Sequence, residues 1–247
     1  MKRWWESLNP DERERLADEQ PDLIGNLNGI PVAIRDYTNR KVMHQDLDRV
    51  RQAASGAGVP AETVLAAPEK YGLTQADISR YRNAENVQKG IDVNARKHPD
   101  GSPRYPVLLH TYEPEAFGGQ GRAAIAIGNP DEADNTTVLV PGTGNSVRDG
   151  YFEPPDGLNV YQESQSAAPD KKNSVVLWMG YDAPDSPTDT QIAATGLARE
   201  GGSLLTPDVN AFDVTNGDKD SHVTVIGHSY GSTTVADAAA GFGMRTD

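Results

Sequence analysis

From Val223 to Gly231 the chain reads Val-Thr-Val-Ile-Gly-His-Ser-Tyr-Gly, a short β-branched run that ends in the pattern G-x-S-x-G. A serine in that setting is forced onto a sharp strand-to-helix turn, the nucleophile elbow, with its hydroxyl exposed at the top of a sheet. Gly227 and Gly231 flank it because a side chain at either place would collide with the neighbouring strand or helix. Ser229 is therefore the candidate nucleophile, and the chemistry it suits is attack on an acyl carbon. Glycine alone makes up about 7% of average protein, so three fixed positions carry little by themselves. Context raises the signal. His222 to Ile226 has the make-up of a buried parallel strand, and Ser232 to Ala240 is a run of small residues suited to a helix packed close to a sheet.

Attack by a serine builds negative charge on the substrate carbonyl oxygen, and hydrogen-bond donors must already be waiting there. Thr136 to Val140 reads as a strand, the third if Pro106–Tyr112 and Arg122–Ile127 are the first two, and Pro141-Gly142-Thr143-Gly144 follows it. The loop after the third strand and the residue after the nucleophile each supply one backbone N–H in an oxyanion hole of this kind. The expected donors are the amides of Thr143 and Tyr230, with the Thr143 hydroxyl a third. Gly142, Tyr181, Asp182 and His228 complete the candidate lining. Tyr181 either lines an acyl pocket or covers the core. Asp182 either faces the pocket or serves as a turn residue. His228, beside the nucleophile, points away from it in a structural or gating role.

A serine hydroxyl needs a base within hydrogen-bond reach, and the base needs an orienting carboxylate. The histidines are His44, His98, His110, His222 and His228, and none follows Ser229. The expected chain order is serine, acid, histidine. Of the later carboxylates, Asp237 falls on the elbow helix and Asp247 is the last residue. These observations predict a fragment of a longer enzyme, truncated after the elbow helix, with little or no turnover alone. They also predict that Val223–Ile226 forms an exposed apolar sheet edge.

The elements that must position these residues fall into two groups. Residues 1–98 read as a helical region. Asn9-Pro10-Asp11-Glu12 has a capping asparagine, a proline at the first helical position and acids in the first turn. Trp4 and Trp5 precede it as packing anchors. Pro21 to Arg40 reads as a loop, Lys41 to Ala54 as a helix broken by Gly56, Gly58 and Pro60, and Thr74 to Ala95 as a helix opened by Thr74 and Asp77. Residues 99–105 read as a linker. Residues 106–247 alternate strands and helices: a fourth strand over Ser174–Met179, a helix over Asp189–Arg199 weakened at its end by Gly201-Gly202, a turn at Asn216-Gly217-Asp218, and then the elbow. Such alternation predicts an α/β fold, a mostly parallel sheet of about five strands with sites at the strands' carboxyl ends.

The phrases WWESLNPDERERLADEQPDLIGNLNGIPVAIRD, TTVLVPGTG, VVLWMGYDAP and VIGHSYGS resemble an actinobacterial family of α/β-hydrolase-fold proteins catalogued as a domain of unknown function. The resemblance implies a serine-hydrolase scaffold, esterase-like or lipase-like, with Ser229 as nucleophile and a small ester or acyl substrate. It names no particular substrate. Family members continue past the elbow helix into strands that carry the acid and the histidine.

Composition narrows the alternatives. A formal charge of −13 excludes a nucleic-acid partner, whose phosphates need a basic surface. With no cysteine there is neither a disulfide framework nor a thiolate metal site. No motif calls for a metal or cofactor: neither a Walker-type nor a dinucleotide-binding glycine pattern follows a strand. No apolar run reaches membrane-spanning length, and MKRWWESLNP lacks the apolar stretch of a signal peptide, so the compartment is open, cytoplasmic by default. The alternative to an enzyme is a non-catalytic interaction module that keeps the fold and contacts a protein partner through its acidic N-terminal helices.

Overall fold

The computed structural model describes residues 1–186, 188, 196–217 and 221–247. The N-terminal helices begin where side chains replace missing intrahelical partners. α1 (Lys2–Ser7) buries Trp5. α2 (Pro10–Glu19) opens on a capping box in which Asn9 accepts from the Glu12 amide at 2.9 Å and Glu12 accepts from the Asn9 amide at 2.8 Å. α3 (Pro21–Ile24) is a single turn, and α4 (Val32–Ala57) runs for 26 residues.

Local pattern placed the start of that helix at Lys41, after a loop from Pro21. α4 starts earlier because its first turn is held from far away. The Asp131 carboxylate accepts the Val32 amide at 2.6 Å, supplying the cap that Pro31 cannot. α4 ends at Gly58, whose left-handed φ of 65° suits glycine. α5 (Ala61–Ala66) and a 3-10 turn (Pro68–Tyr71) lead to α6 (Gln75–Ala95), which opens on the expected Thr74–Asp77 capping box.

The remaining elements are β1 (Val107–Glu113), the short turn α7 (Ala116–Gly119), β2 (Arg122–Ile127), β3 (Asn135–Val140), α8 (Asp156–Ala167), β4 (Asn173–Met179), α9 (Gly196–Thr215), β5 (His222–Gly227) and α10 (Tyr230–Phe242). They form one five-stranded sheet in the order β1-β2-β4-β3-β5. β3 lies between β4 and β5 and is parallel to both, whereas β2 is antiparallel to β4 and to β1. The carboxyl ends of β3, β4 and β5 thus open side by side, where an α/β sheet carries its site.

Every residue of β4 is buried, as expected of a strand covered on both faces. α8 covers one face, close enough that a Cβ on Gly157 would lie 2.7 Å from Leu177. α9 and α10 cover the other. Met43, Leu47 and Val87 of the N-terminal helices join Leu109, Ile125 and Val176 in one continuous core. A smaller cluster gathers Trp5, Ile24 and Ile30.

Gly201 and Gly202 lie inside α9 rather than weakening its end. A Cβ on Gly202 would sit 2.8 Å from the Ala238 amide nitrogen, and one on Gly201 would sit 2.8 Å from both Thr234 and Tyr181. The glycines therefore serve close packing of α9 on α10 and on the end of β4. Residues 189–195 of the helix expected over 189–199, and Asp218 of the expected turn, lie outside the described residues. Among the described residues β5 is the edge strand: Val223 is buried, but Ile226 is 47% exposed. The Asp247 amide and carboxylate bond the Val223 carbonyl and amide, so the last residues cover one end of that edge. No described helix is long and apolar enough to cross a membrane.

Candidate active site

The site grows out of one strained residue. Ser229 stands between β5 and α10 with φ 54° and ψ −125°. Among the described non-glycine residues only Arg96 and Phe117 share a positive φ. Such a conformation costs on the order of 1–3 kcal/mol and persists only where the surroundings over-determine it. They do so here. The His228 amide donates to the Val140 carbonyl at 3.0 Å, and the Gly231 amide to the His228 carbonyl at 2.9 Å. The Ser229 carbonyl accepts from the Ser232 hydroxyl at 2.6 Å. A Cβ on Gly227 would come within 2.5 Å of the Gly231 carbonyl oxygen, and one on Gly231 within 2.5 Å of the Val140 and Pro141 oxygens. A serine ahead of a helix ordinarily caps it. Ser229 makes no such bond and stays exposed on the turn.

The loop after β3 presses against this turn. A Cβ on Gly142 would lie 2.6 Å from the His228 oxygen, 2.8 Å from the Ser229 Cβ and 2.9 Å from the Tyr230 nitrogen. Only glycine lets the two segments meet. Thr143 follows directly, half-buried, and Tyr230 opens α10, where first-turn amides point out of the helix end. The Tyr230 ring is buried, and its hydroxyl accepts from the Ala198 amide at 3.2 Å, joining the elbow to the start of α9.

Tyr181 is fully buried and belongs to the support of the loop rather than to an open pocket. Its ring stacks on Trp178 at 5.9 Å, and its hydroxyl donates to the Pro141 carbonyl at 2.7 Å. Burial raises its pKa, so the phenol stays a donor. Asp182 is half-buried beyond the end of β4. His228 is exposed, and with Ile226, Leu139, Tyr151 and Asn145 it lines a cleft of about 390 Å³ beside the loop.

None of the histidines is hydrogen-bonded to the Ser229 side chain. His222, at the far end of β5, lies 3.4 Å from the Asp247 carboxylate. His44 is exposed on α4, and His98 belongs to a turn closed by its amide bond to the Ser102 carbonyl. His110 is buried in β1, where Nε2 accepts from Arg35 at 3.1 Å and Nδ1 faces the Thr111 hydroxyl. An arginine has no acceptor, so Nε2 carries no proton and the ring is neutral. Burial and then the Arg35 charge push its pKa well below the usual value.

That histidine sits in a charged cluster with no local sequence signature. Arg35 is fully buried, and burial lowers its pKa to about 10. Asp208 on α9 accepts from Arg122 at 2.7 Å, the Trp178 indole at 2.8 Å and Asn28 at 2.9 Å. Burial works against its ionisation, but the Arg122 and Arg35 charges, with the Trp178 hydrogen bond, outweigh that and hold the carboxyl below the usual range. Asn28 and Arg35 thus tie the N-terminal helices to the sheet behind Trp178 and Tyr181.

A family model described as alpha/beta hydrolase matches residues 118–247, just over half of the chain. The chain belongs to the alpha/beta hydrolase family. The match spans β2 to α10, including the loop after β3 and the elbow. Among relatives, the uncharacterized proteins Rv2079 and MT2140 of two Mycobacterium tuberculosis strains are each 51% identical over 247 residues, covering 99% of this chain. The chain spans 37% of their length. The uncharacterized protein Rv0963c of Mycobacterium tuberculosis is 27% identical over 118 residues, 44% of this chain and 43% of its own length.

Proposed function

We propose that this hydrolase-family chain carries the nucleophile and oxyanion half of a serine hydrolase acting on small esters or other acyl substrates. Ser229 is the nucleophile, and the amides of Thr143 and Tyr230 receive the oxyanion. The observation that carries this reading is the strained backbone of Ser229, held at φ 54° against a glycine loop that no side chain would allow. Strain of this kind gathers at functional sites because it exposes a reactive group in one fixed direction. In the reaction the Ser229 oxygen bonds the acyl carbon, the carbonyl oxygen gains negative charge between the two amides, and the hydroxyl proton passes to a base. His44, His98, His110 and His222 are committed elsewhere or remote, and His228 turns toward the cleft beside Ile226.

The 247-residue chain alone is therefore expected to label slowly and turn over little. That no histidine is hydrogen-bonded to Ser229 among the described residues also favours one rival reading, a non-catalytic module that keeps the fold. A fluorophosphonate probe separates the two. Phosphonylation at Ser229, located by peptide mass and abolished in Ser229→Ala, supports the hydrolase scaffold. An unlabelled Ser229 in a folded chain supports the module. Rapid hydrolysis of a short acyl ester that depends on Ser229 would refute the expected lack of turnover.

A further inference from the structure

The geometry points to Asn145 as the positioning residue that aims the Thr143 amide at the reacting centre. This deepens the proposed function and rests on it. The three carbonyls of the loop after β3 are each held by a side-chain donor. Tyr181 donates to Pro141, and the Asn145 amide donates to Gly142 at 3.0 Å and to Thr143 at 3.2 Å. Both Asn145 partners are carbonyl oxygens, which only accept, so the side-chain nitrogen must face them. In a trans peptide the C=O and the following N–H point in opposite directions. Fixing the Gly142 carbonyl therefore fixes the Thr143 N–H on the opposite side of that peptide plane. The next plane is fixed from both ends, because the Gly144 amide donates to the Pro184 carbonyl at 2.8 Å. Meanwhile the contact of Gly142 with Tyr230 and Ser229 sets the loop's distance from the elbow. Distance and direction of the donor thus have separate causes, Gly142 for one and Asn145 for the other. Asn145 is half-buried and borders the cleft with His228, whereas Tyr181 is buried.

Asn145→Asp keeps the size and removes both donors. The test uses a fluorophosphonate and its P=S analogue, because sulfur accepts hydrogen bonds poorly and probes the oxyanion donors specifically. For the wild-type chain and the variant, the rate of Ser229 labelling is measured with both probes, together with the melting temperature and the Thr143 amide resonance. Loss of one oxyanion donor typically costs about 10²–10³ in rate, so a misaimed one should lower the P=O to P=S rate ratio by at least about tenfold. A lowered ratio at an unchanged melting temperature, with a displaced Thr143 resonance, supports the assignment. A labelled wild type with an unchanged ratio in Asn145→Asp overturns the role of Asn145 and leaves the nucleophile standing. A wild type unlabelled at Ser229 overturns the nucleophile. The aiming role is then decided by the Thr143 resonance, which must still move in the variant and overturns the assignment if it does not. Asn145→Ala, which adds no charge, repeats each measurement should the aspartate variant fail to fold.

Discussion

Replacing Asp208 with asparagine tests whether the buried charge cluster holds the N-terminal helices to the sheet. In the native chain one oxygen of Asp208 serves Arg122 and the Trp178 indole, and the other accepts from Asn28. Asparagine offers a single accepting oxygen. With that oxygen kept for Arg122 and Trp178, its NH₂ faces the NH₂ of Asn28. Asn28 cannot turn over, because its own oxygen accepts from Arg35 at 3.0 Å. The variant thus loses one partly buried hydrogen bond and leaves Arg35 and Arg122 without their buried counter-charge. Breaking a buried pair by removing one partner costs about 3–5 kcal/mol. Glu113, 3.0 Å from Arg122 and partly exposed, still compensates part of the charge and places the loss near the lower end. A loss of about 3 kcal/mol lowers the melting temperature of a chain this size by roughly 6–12 °C. Urea unfolding followed by tryptophan fluorescence reads the change directly, since Trp178 touches the altered group. A loss below about 1 kcal/mol would mean that the cluster is no more than an ordinary set of hydrogen bonds, and the reasoning would fail.

Two further outcomes follow from the same structure. In Gly142→Ala the new methyl starts 2.6 Å from the His228 oxygen and must recede by about 0.8 Å to reach the ordinary contact of 3.4 Å. A displacement near 1 Å costs about 10² in rate, so Ser229 phosphonylation should fall about a hundredfold, and an unchanged labelling rate would contradict the packed loop. His110 is held neutral by burial and by Arg35, with Asp208 and Arg122 also facing it, so its folded pKa lies below the unfolded value. Stability is then complete above about pH 6.5 and falls as the pH drops below it, by up to about 1.4 kcal/mol per pH unit, until the folded pKa is reached. His110→Gln, which keeps an acceptor for Arg35, should flatten the unfolding free energy between pH 6.5 and 5 on the order of that slope. An equally steep profile in the variant would show that another group titrates. Asp46, whose pKa is raised chiefly by burial, acts with the opposite sign.

Much of the fold was legible because its signals are local. The Asn9 cap, the Thr74–Asp77 capping box, the β-branched strands and the glycines around Ser229 each act over a few residues, and these elements stand within a residue or two of where their patterns put them. The start of α4 is not legible locally, because its cap comes from Asp131, across 99 residues of sequence. Gly201 and Gly202 read as helix breakers, since their contacts with Thr234, Tyr181 and Ala238 exist only once α9 lies on α10. Local pattern sets Tyr181 at the end of β4 but does not give its direction. Whether it faced a pocket or the Pro141 carbonyl depended on what stood across the sheet.

By itself the sequence determined where the turn falls, because a β-branched run, a serine flanked by two glycines and a small-residue helix follow one another within some twenty residues. It also determined which loop would face that turn, through the order of strands. Only the tertiary structure decided how the turn is held and aimed. The sheet order β1-β2-β4-β3-β5 sets β3 beside β5 and so drives Gly142 onto Ser229, places Asn145 under the loop's carbonyls, and brings Asn28 to Asp208 across 180 residues. Interactions of that separation leave no local trace, since each partner's side chain is chosen by a neighbour that the chain reaches only after folding.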